Sequence, residues 1–167
     1  EAMLKSHEMF GFMSADLSSR ILEDTAGDNR EVYNATLAAV ANVRRLRPAD
    51  LKRQPRTARH KMILGILNKP GFEEAAGSLL RGWLLKHQVG LLTDFLDSLG
   101  IEHKDGVVDD LPASIPDEKM NAALNALLEK HEREVIIVYL HAFQSMNETG
   151  WVNLQDRLDN DDRLQFA

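Results

Sequence analysis

The apolar residues of this chain recur at spacings of three and four over most of its length. The stretch 29–46 shows the pattern most clearly, with Val32, Tyr33, Leu37, Val40 and Val43. This spacing places apolar side chains on one face of an α-helix. Similar stripes follow along the chain, so we expect an all-α fold. We expect about six to eight helices in a single compact domain over residues 1–167. They pack as helical hairpins, either in a bundle or in a short solenoid-like array.

Residues with helix-capping chemistry mark several boundaries. Ser14 and either Asp28 or Asn29 precede apolar stripes. Short polar side chains of this kind accept hydrogen bonds from the free N–H groups of a first helical turn. Thr57 is expected to cap a later helix in the same way. Pro48 lacks the N–H that a helix interior requires, so we expect the preceding helix to stop before it.

The run 135–140 allows two interpretations. Its β-branched residues fit a buried strand. No partner strand is evident in the sequence, however, and Phe143 continues a helical face that begins at Ile136. We therefore interpret the run as part of a buried helix. The aromatic side chains expected in the core are Trp83, Tyr139 and Phe143.

One internal similarity has a period of 44 residues. It aligns His87 with His131 and Leu80 with Leu124, so that each copy comprises a helix, a Lys-His turn and a second helix. A period of this length is typical of two-helix solenoids, which need about three units. Only two copies are evident, and any two amphipathic hairpins align at some offset. True repetition and coincidence both stay open.

The composition sets limits on chemistry and location. The absence of cysteine excludes disulfide bonds, thiolate catalysis and cysteine-bound zinc. No apolar run approaches the roughly 20 residues that cross a bilayer. Lys5, His7 and Glu8 interrupt any secretory signal near the start. We expect a soluble, cytoplasmic protein without membrane contact. The two residues before Met3 leave open a remnant of cloning or a chain cut from a longer protein.

Motifs of catalytic and metal sites are incomplete in this sequence. His131-Glu132 begins like the helix of a zinc protease, but Val135 stands where the second histidine is required. The loop 103–110 has carboxylates without the alternating pattern and final glutamate of a calcium loop. No glycine pattern that cradles phosphates is present. We expect no catalytic residue, no metal and no cofactor, although a carboxylate pair formed only by the fold stays open.

The segment 44–61 is strongly basic in an acidic protein. It has eight arginine and lysine residues and one acidic residue, Asp50, while the whole chain carries a net charge of −6. Such a segment binds anions, pairs with the protein's own acidic C-terminal region, or forms a solvated face. Guanidinium groups hold phosphates through paired hydrogen bonds. The candidate anion-binding residues are Arg44, Arg45, Arg47, Arg53, Arg56 and Arg59.

Two functions agree with these observations. The leading expectation is a non-catalytic protein-interaction or scaffold domain, which binds an unknown protein partner or associates with itself as a dimer. The alternative is nucleic-acid or phosphate binding through the segment 44–61. That segment has no aromatic side chain on which a base stacks, and the net acidity opposes long-range attraction to nucleic acid. The sequence therefore favours a protein partner.

Overall fold

The computed structural model describes residues 3–166 and confirms the all-α class. Within that range, ten α-helices and two 3-10 helices account for the regular structure, apart from one isolated β-bridge. The α-helices are α1 (Ser6–Phe12), α2 (Ala15–Asp28), α3 (Arg30–Val43), α4 (Pro48–Lys52), α5 (Arg56–Leu67), α6 (Glu73–His87), α7 (Val89–Ser98), α8 (Asp117–Lys130), α9 (Arg133–Met146) and α10 (Val152–Asn160). The 3-10 helices are Pro70–Phe72 and Asp162–Leu164. Of the helices in residues 3–166, none has the length and apolar character needed to cross a bilayer.

The chain divides into two compact units. The first unit is Ser6–Trp83, and the second unit combines residues 84–166 with residues 3–5. The ten α-helices exceed the expected six to eight because α1 and α4 have only 7 and 5 residues. Helices this short do not produce a recognisable apolar period. The two residues before Met3, whose origin the sequence left open, lie outside the described range.

Two predicted caps begin the long helices of the first unit. The Ser14 Oγ accepts a hydrogen bond of 3.1 Å from the Leu17 N–H at the start of α2. The Asn29 Oδ1 accepts one of 3.4 Å from the Val32 N–H at the start of α3. Asn29 also ends α2, because its N–H donates to the Thr25 carbonyl at 2.9 Å. α2 and α3 therefore form a hairpin joined by one residue.

Two predicted boundaries of the first unit are displaced. α3 ends at Val43, and Pro48 is the first residue of α4. Proline suits the first helical position because no intrahelical N–H bond is needed there. α5 begins at Arg56 after Pro55, so the prediction that Thr57 caps this helix is wrong. Pro48 therefore starts α4, and α3 ends before it for reasons other than this proline.

The core of the first unit lies among α2, α3 and α5, which contact one another. Its fully buried aliphatic side chains include Ile21, Leu22, Leu37, Val40, Ile63 and Leu67. Trp83 is buried as predicted, and its Nε1 donates to the Asp24 carboxylate at 2.9 Å. The Arg20 guanidinium lies 5.7 Å from the centroid of the Trp83 ring. The indole of Trp83 is therefore surrounded by apolar side chains except where Asp24 and Arg20 contact it.

α9 is the most deeply buried helix of the second unit. Every residue from Val135 to His141 is buried, which confirms the helical interpretation of this run. A helix buried on all sides is apolar all round, so burial rather than strand formation explains its β-branched residues. The Phe95 ring centroid lies 5.6 Å from that of Tyr139 and 5.4 Å from that of Phe143. Tyr139 is buried as predicted, whereas Phe143 is half-buried.

The 44-residue offset seen in the sequence recurs in the helix boundaries. α6 and α7 begin at residues 73 and 89, and α8 and α9 begin at residues 117 and 133. His87 is the last residue of α6, and His131 directly follows α8. Each copy is therefore a helix that ends at or directly before a histidine, followed within two residues by a second helix. The predicted Lys-His turn is wrong, because Lys86, His87 and Lys130 belong to the first helices.

Candidate interaction surface

The six candidate arginines lie between α3 and the first turn of α5 in the first unit. They are Arg44 and Arg45 after α3, Arg47 and Arg53 on either side of α4, and Arg56 and Arg59 in α5. α4 contacts both α3 and α5, which brings these helix ends together. All of the six except Arg59 are exposed.

Asp50 pairs with two of these arginines. Its carboxylate lies 3.2 Å from the Arg47 Nε and 3.3 Å from the Arg53 Nη1. The hydrogen bond from Arg47 is the largest factor that holds the pKa of Asp50 below its usual value. The two arginine side chains are 79% and 75% exposed, so water weakens both pairs. Both guanidinium groups therefore stay accessible to a ligand.

Arg59 lies beside a buried Tyr–His pair. Its Nη1 donates to the Lys52 carbonyl at 3.0 Å, whereas its Nε has no hydrogen-bond partner among residues 3–166. The Tyr33 Oη and the His60 Nε2 are hydrogen-bonded at 2.7 Å. Burial raises the pKa of Tyr33 and lowers the pKa of His60, and the neighbouring guanidinium groups reinforce the second effect. Both side chains are therefore uncharged at neutral pH. No sequence pattern indicated this pair.

Four of the candidate arginines have no ion pair within residues 3–166, and Arg59 is one of them. The other three are Arg44, Arg45 and Arg56, and all three are exposed. Arg45 has a φ of 56°, a backbone conformation that is rare for a residue with a side chain. The segment 44–61 thus presents an exposed basic face in the described part of the chain.

An apolar groove runs along α3 in the first unit. Its volume is about 710 Å³, and the 3-10 helix Pro70–Phe72 and the start of α6 form its second wall. Half of the twelve residues that line it have apolar side chains: Val32, Ala35, Ala39, Val43, Phe72 and Ala75. Glu31 and Glu74 are the acidic residues in the lining. Val43 is 54% exposed although it is apolar. It directly precedes Arg44 in the chain.

Small residues explain why this groove exists. Gly82 allows α6 to approach the start of α3 closely, because a Cβ at this position would stand 3.2 Å from the Asn29 Nδ2. Farther along α3, Ala35 and Ala39 are too short to fill the space between the walls. The groove therefore lies where small residues of α3 leave space beside the start of α6.

A separate cleft lies in the second unit, beside the loop that follows α7. Its volume is about 1130 Å³, and carboxylates such as Asp97 and Asp105 line it. The Asp97 carboxylate lies 2.7 Å from the His103 Nε2, and the His103 Nδ1 accepts a hydrogen bond from the Gly106 N–H. Across residues 3–166, no three His, Asp or Glu side chains are placed to hold one metal ion.

We treat the groove and the two exposed arginines that follow Val43 in the chain as one candidate surface, which we call the α3 surface. It comprises the groove-lining residues of 31–43 and 71–78 together with Arg44 and Arg45. The sequence predicted the arginines but not the groove, because small apolar residues on a helix face look the same whether that face is covered or open. In comparisons with protein families, curated proteins and solved structures, no match to this chain is found.

Proposed function

We propose that this protein is an interaction module that binds an amphipathic helix of a partner protein on the α3 surface. The observation that carries this proposal is an apolar groove whose lining ends at Val43, with two exposed arginines next in the chain. Val43 is 54% exposed, and Arg44 and Arg45 beside it have no ion pair within residues 3–166. Apolar surface with a charged rim is typical of protein-binding sites.

The groove has the length of a short helix. It follows α3 from Glu31 to Val43, which at 1.5 Å per residue is about 18 Å, or just over three helical turns. A helix in such a groove makes contact through side chains at positions i, i+3 or i+4, and i+7. Ala35, Ala39 and Ala75 leave room for larger apolar side chains from the partner. We therefore expect leucine, methionine or phenylalanine at these partner positions.

The charges at the two ends of the groove set the expected polarity of the partner helix. Glu31 lines the groove at the start of α3, Glu74 lines its second wall, and Arg44 and Arg45 directly follow Val43 at the end of α3. Carboxylates on the partner would form charge-assisted hydrogen bonds with the two guanidinium groups. A basic side chain would suit the end near Glu31. The expected partner helix is therefore acidic at one end only.

Selection of helical peptides from a display library, with the intact protein as target, tests the proposal. The selected peptides should share an apolar stripe with carboxylates near one end. The variant Ala39→Arg fills the groove, and Arg44→Glu with Arg45→Glu reverses the charge of the rim. Each should weaken peptide binding by about tenfold or more. The matched control, Lys104→Glu with Lys119→Glu, makes the same charge change on exposed lysines of the second unit and should keep wild-type affinity.

The variants separate this proposal from adventitious binding. Circular dichroism should show unchanged helix content for all of them, because every substituted position is on the surface or lines the groove. Peptides that bind both α3 variants as tightly as wild type dock elsewhere, and that result would refute the proposal. Selected peptides without an acidic end would refute the role of the two arginines.

Phosphate or nucleic-acid binding is a second candidate, and the start of α5 favours it. α5 has no side-chain cap and no acidic residue in its first turn, where Arg56 and Arg59 lie. The positive end of the helix dipole therefore lies among positive side chains, an arrangement that a bound anion would stabilise.

A gel-shift assay with RNA and DNA tests this second candidate. At about 0.15 M ionic strength the Debye length is only about 8 Å, so only close phosphate contacts survive. The net charge of −6 and the lack of an aromatic platform lead us to expect no shift. A salt-sensitive shift that disappears in Arg53→Gln with Arg56→Gln would establish phosphate binding instead, because each phosphate contact releases counterions.

A further inference from the structure

Two buried amide side chains lie at the C-terminal end of α9 in the second unit. Gln144 is in the last turn of the helix and Asn147 directly follows it. They are 2% and 6% exposed. The chain then turns, because the Gly150 N–H donates to the Asn147 carbonyl at 3.0 Å and Gly150 has a φ of 56°. This turn leads directly into Trp151 and α10.

Each of the two amides uses only one of its polar atoms within the protein. The Gln144 Nε2 donates to the Trp151 carbonyl at 2.9 Å. The Asn147 Oδ1 accepts from the Thr149 hydroxyl at 2.9 Å. The Gln144 Oε1 and the Asn147 Nδ2 are buried and have no hydrogen-bond partner among residues 3–166. The Trp151 carbonyl oxygen can only accept a hydrogen bond, so the Gln144 atom that bonds to it is Nε2. The Gln144 atom without a partner is therefore Oε1.

Buried polar atoms without partners are uncommon in folded proteins, and each calls for a ligand or water to complete it. Gln144 and Asn147 both line a pocket of about 470 Å³, a size that accepts a small ligand or part of a peptide. Glu148 and Asp156 contribute carboxylates to the same pocket, and Val152 contributes an apolar side chain that is 83% exposed. The pocket therefore offers hydrogen bonds, negative charge and apolar contact together.

We infer that this pocket binds an extended polypeptide segment that carries a lysine or arginine. Gln144 and Asn147 are three residues apart and so share one face of the helix end. The Gln144 Oε1 accepts from a peptide N–H, and the Asn147 Nδ2 donates to a peptide carbonyl. Recognition of main-chain groups in this way is common in peptide-binding proteins. The carboxylates of Glu148 and Asp156 attract the basic side chain. The ligand is thus opposite in charge to the acidic helix expected on the α3 surface, and the two sites are independent.

Nuclear magnetic resonance titration of the ¹⁵N-labelled full chain tests this inference. The probe is a capped five-residue peptide of alternating alanine and lysine, and the comparison ligand is spermidine, which has positive charge but no amide. The peptide should shift the side-chain NH₂ signals of Gln144 and Asn147 in a saturable way. Spermidine at equal concentration should leave them unchanged.

The variant Asn147→Asp separates amide recognition from simple charge attraction. It keeps the oxygen that accepts from Thr149, removes the N–H donor and adds a negative charge. Loss of the donor should weaken peptide binding by about tenfold. Charge attraction alone predicts the opposite sign, so tighter peptide binding by the variant would overturn the inference. Equal shifts with peptide and spermidine on the wild type would also overturn it, as would no shift with the peptide.

Discussion

The buried imidazole of His141 makes the stability of this protein sensitive to acid. The side chain is 5% exposed, and its Nδ1 accepts a hydrogen bond of 3.1 Å from the Leu4 N–H, so it is neutral in the folded chain. Burial lowers the pKa of His141 to about 4, an effect that the charge of Asp159 opposes without cancelling. A proton on this ring is therefore far less stable in the folded protein than in the unfolded chain.

The sign and size of the effect follow from linkage. In the unfolded chain the pKa of a histidine is about 6.5. Between pH 6.5 and 4 the unfolded chain gains a proton that folded His141 does not accept, so the free energy of unfolding falls with falling pH. At about 1.36 kcal/mol per pH unit, the full loss is about 3 kcal/mol. It is absent above pH 6.5 and complete below pH 4.

Urea unfolding followed by tryptophan fluorescence, repeated between pH 7.5 and pH 4.5, measures this loss. The variant His141→Gln cannot titrate but retains an oxygen that can accept from the Leu4 N–H. Its free energy of unfolding should fall less on acidification than that of wild type, by about 2–3 kcal/mol. His60, whose pKa burial also lowers, should account for part of the slope that remains. As a control, His103→Gln makes the same substitution in the loop that follows α7. Equal pH dependence in wild type and His141→Gln would refute this reasoning.

Three further substitutions test other features by their effect on the urea midpoint or melting temperature. Trp83→Ala should cost about 3–5 kcal/mol because it empties a buried site, and an unchanged urea midpoint would contradict that burial. Gly106→Ala should cost at least about 1 kcal/mol, because φ is +90° and the new Cβ would stand 2.8 Å from the Leu92 side chain. A melting temperature equal to wild type would show that the loop relaxes freely. Arg45→Gly should be at least as stable as wild type because it relieves a positive φ, whereas Arg44→Gly should lose about 0.5–1 kcal/mol; equal losses would argue against strain at position 45.

The sequence predicted those parts of the fold in which local chemistry and burial agree. Ser14 and Asn29 cap helices because short polar side chains satisfy free N–H groups in any tertiary setting. The helix at 135–140 followed from its continuity with Phe143. Thr57 failed as a cap because Pro55 precedes it and starts α5 earlier. The short helices α1 and α4 were not predicted because each has fewer than two helical turns, which is too few to show an apolar period.

The candidate sites depend more heavily on tertiary structure. Counting charges located the basic segment, but only the fold of α4 decides that Asp50 pairs with Arg47 and Arg53 and leaves Arg44 unpaired. No sequence pattern indicated the groove along α3 or the pocket beside Gln144 and Asn147. Alanines and a glutamine are ordinary helix residues, so only the tertiary structure shows that they line a groove and a pocket.

The burial of the segment 135–141 within α9 has a consequence for sequence variation. Seven consecutive residues, from Val135 to His141, have no side that faces solvent. A surface helix tolerates polar changes at roughly half of its positions, but the segment 135–141 offers no position where a larger or charged side chain escapes the interior. In a library of random single substitutions, the tolerated changes should therefore be fewest here, and their pattern should show no helical period. α10 should show that period clearly, because Leu154 and Leu158 are buried whereas Val152 and Asp156 face solvent.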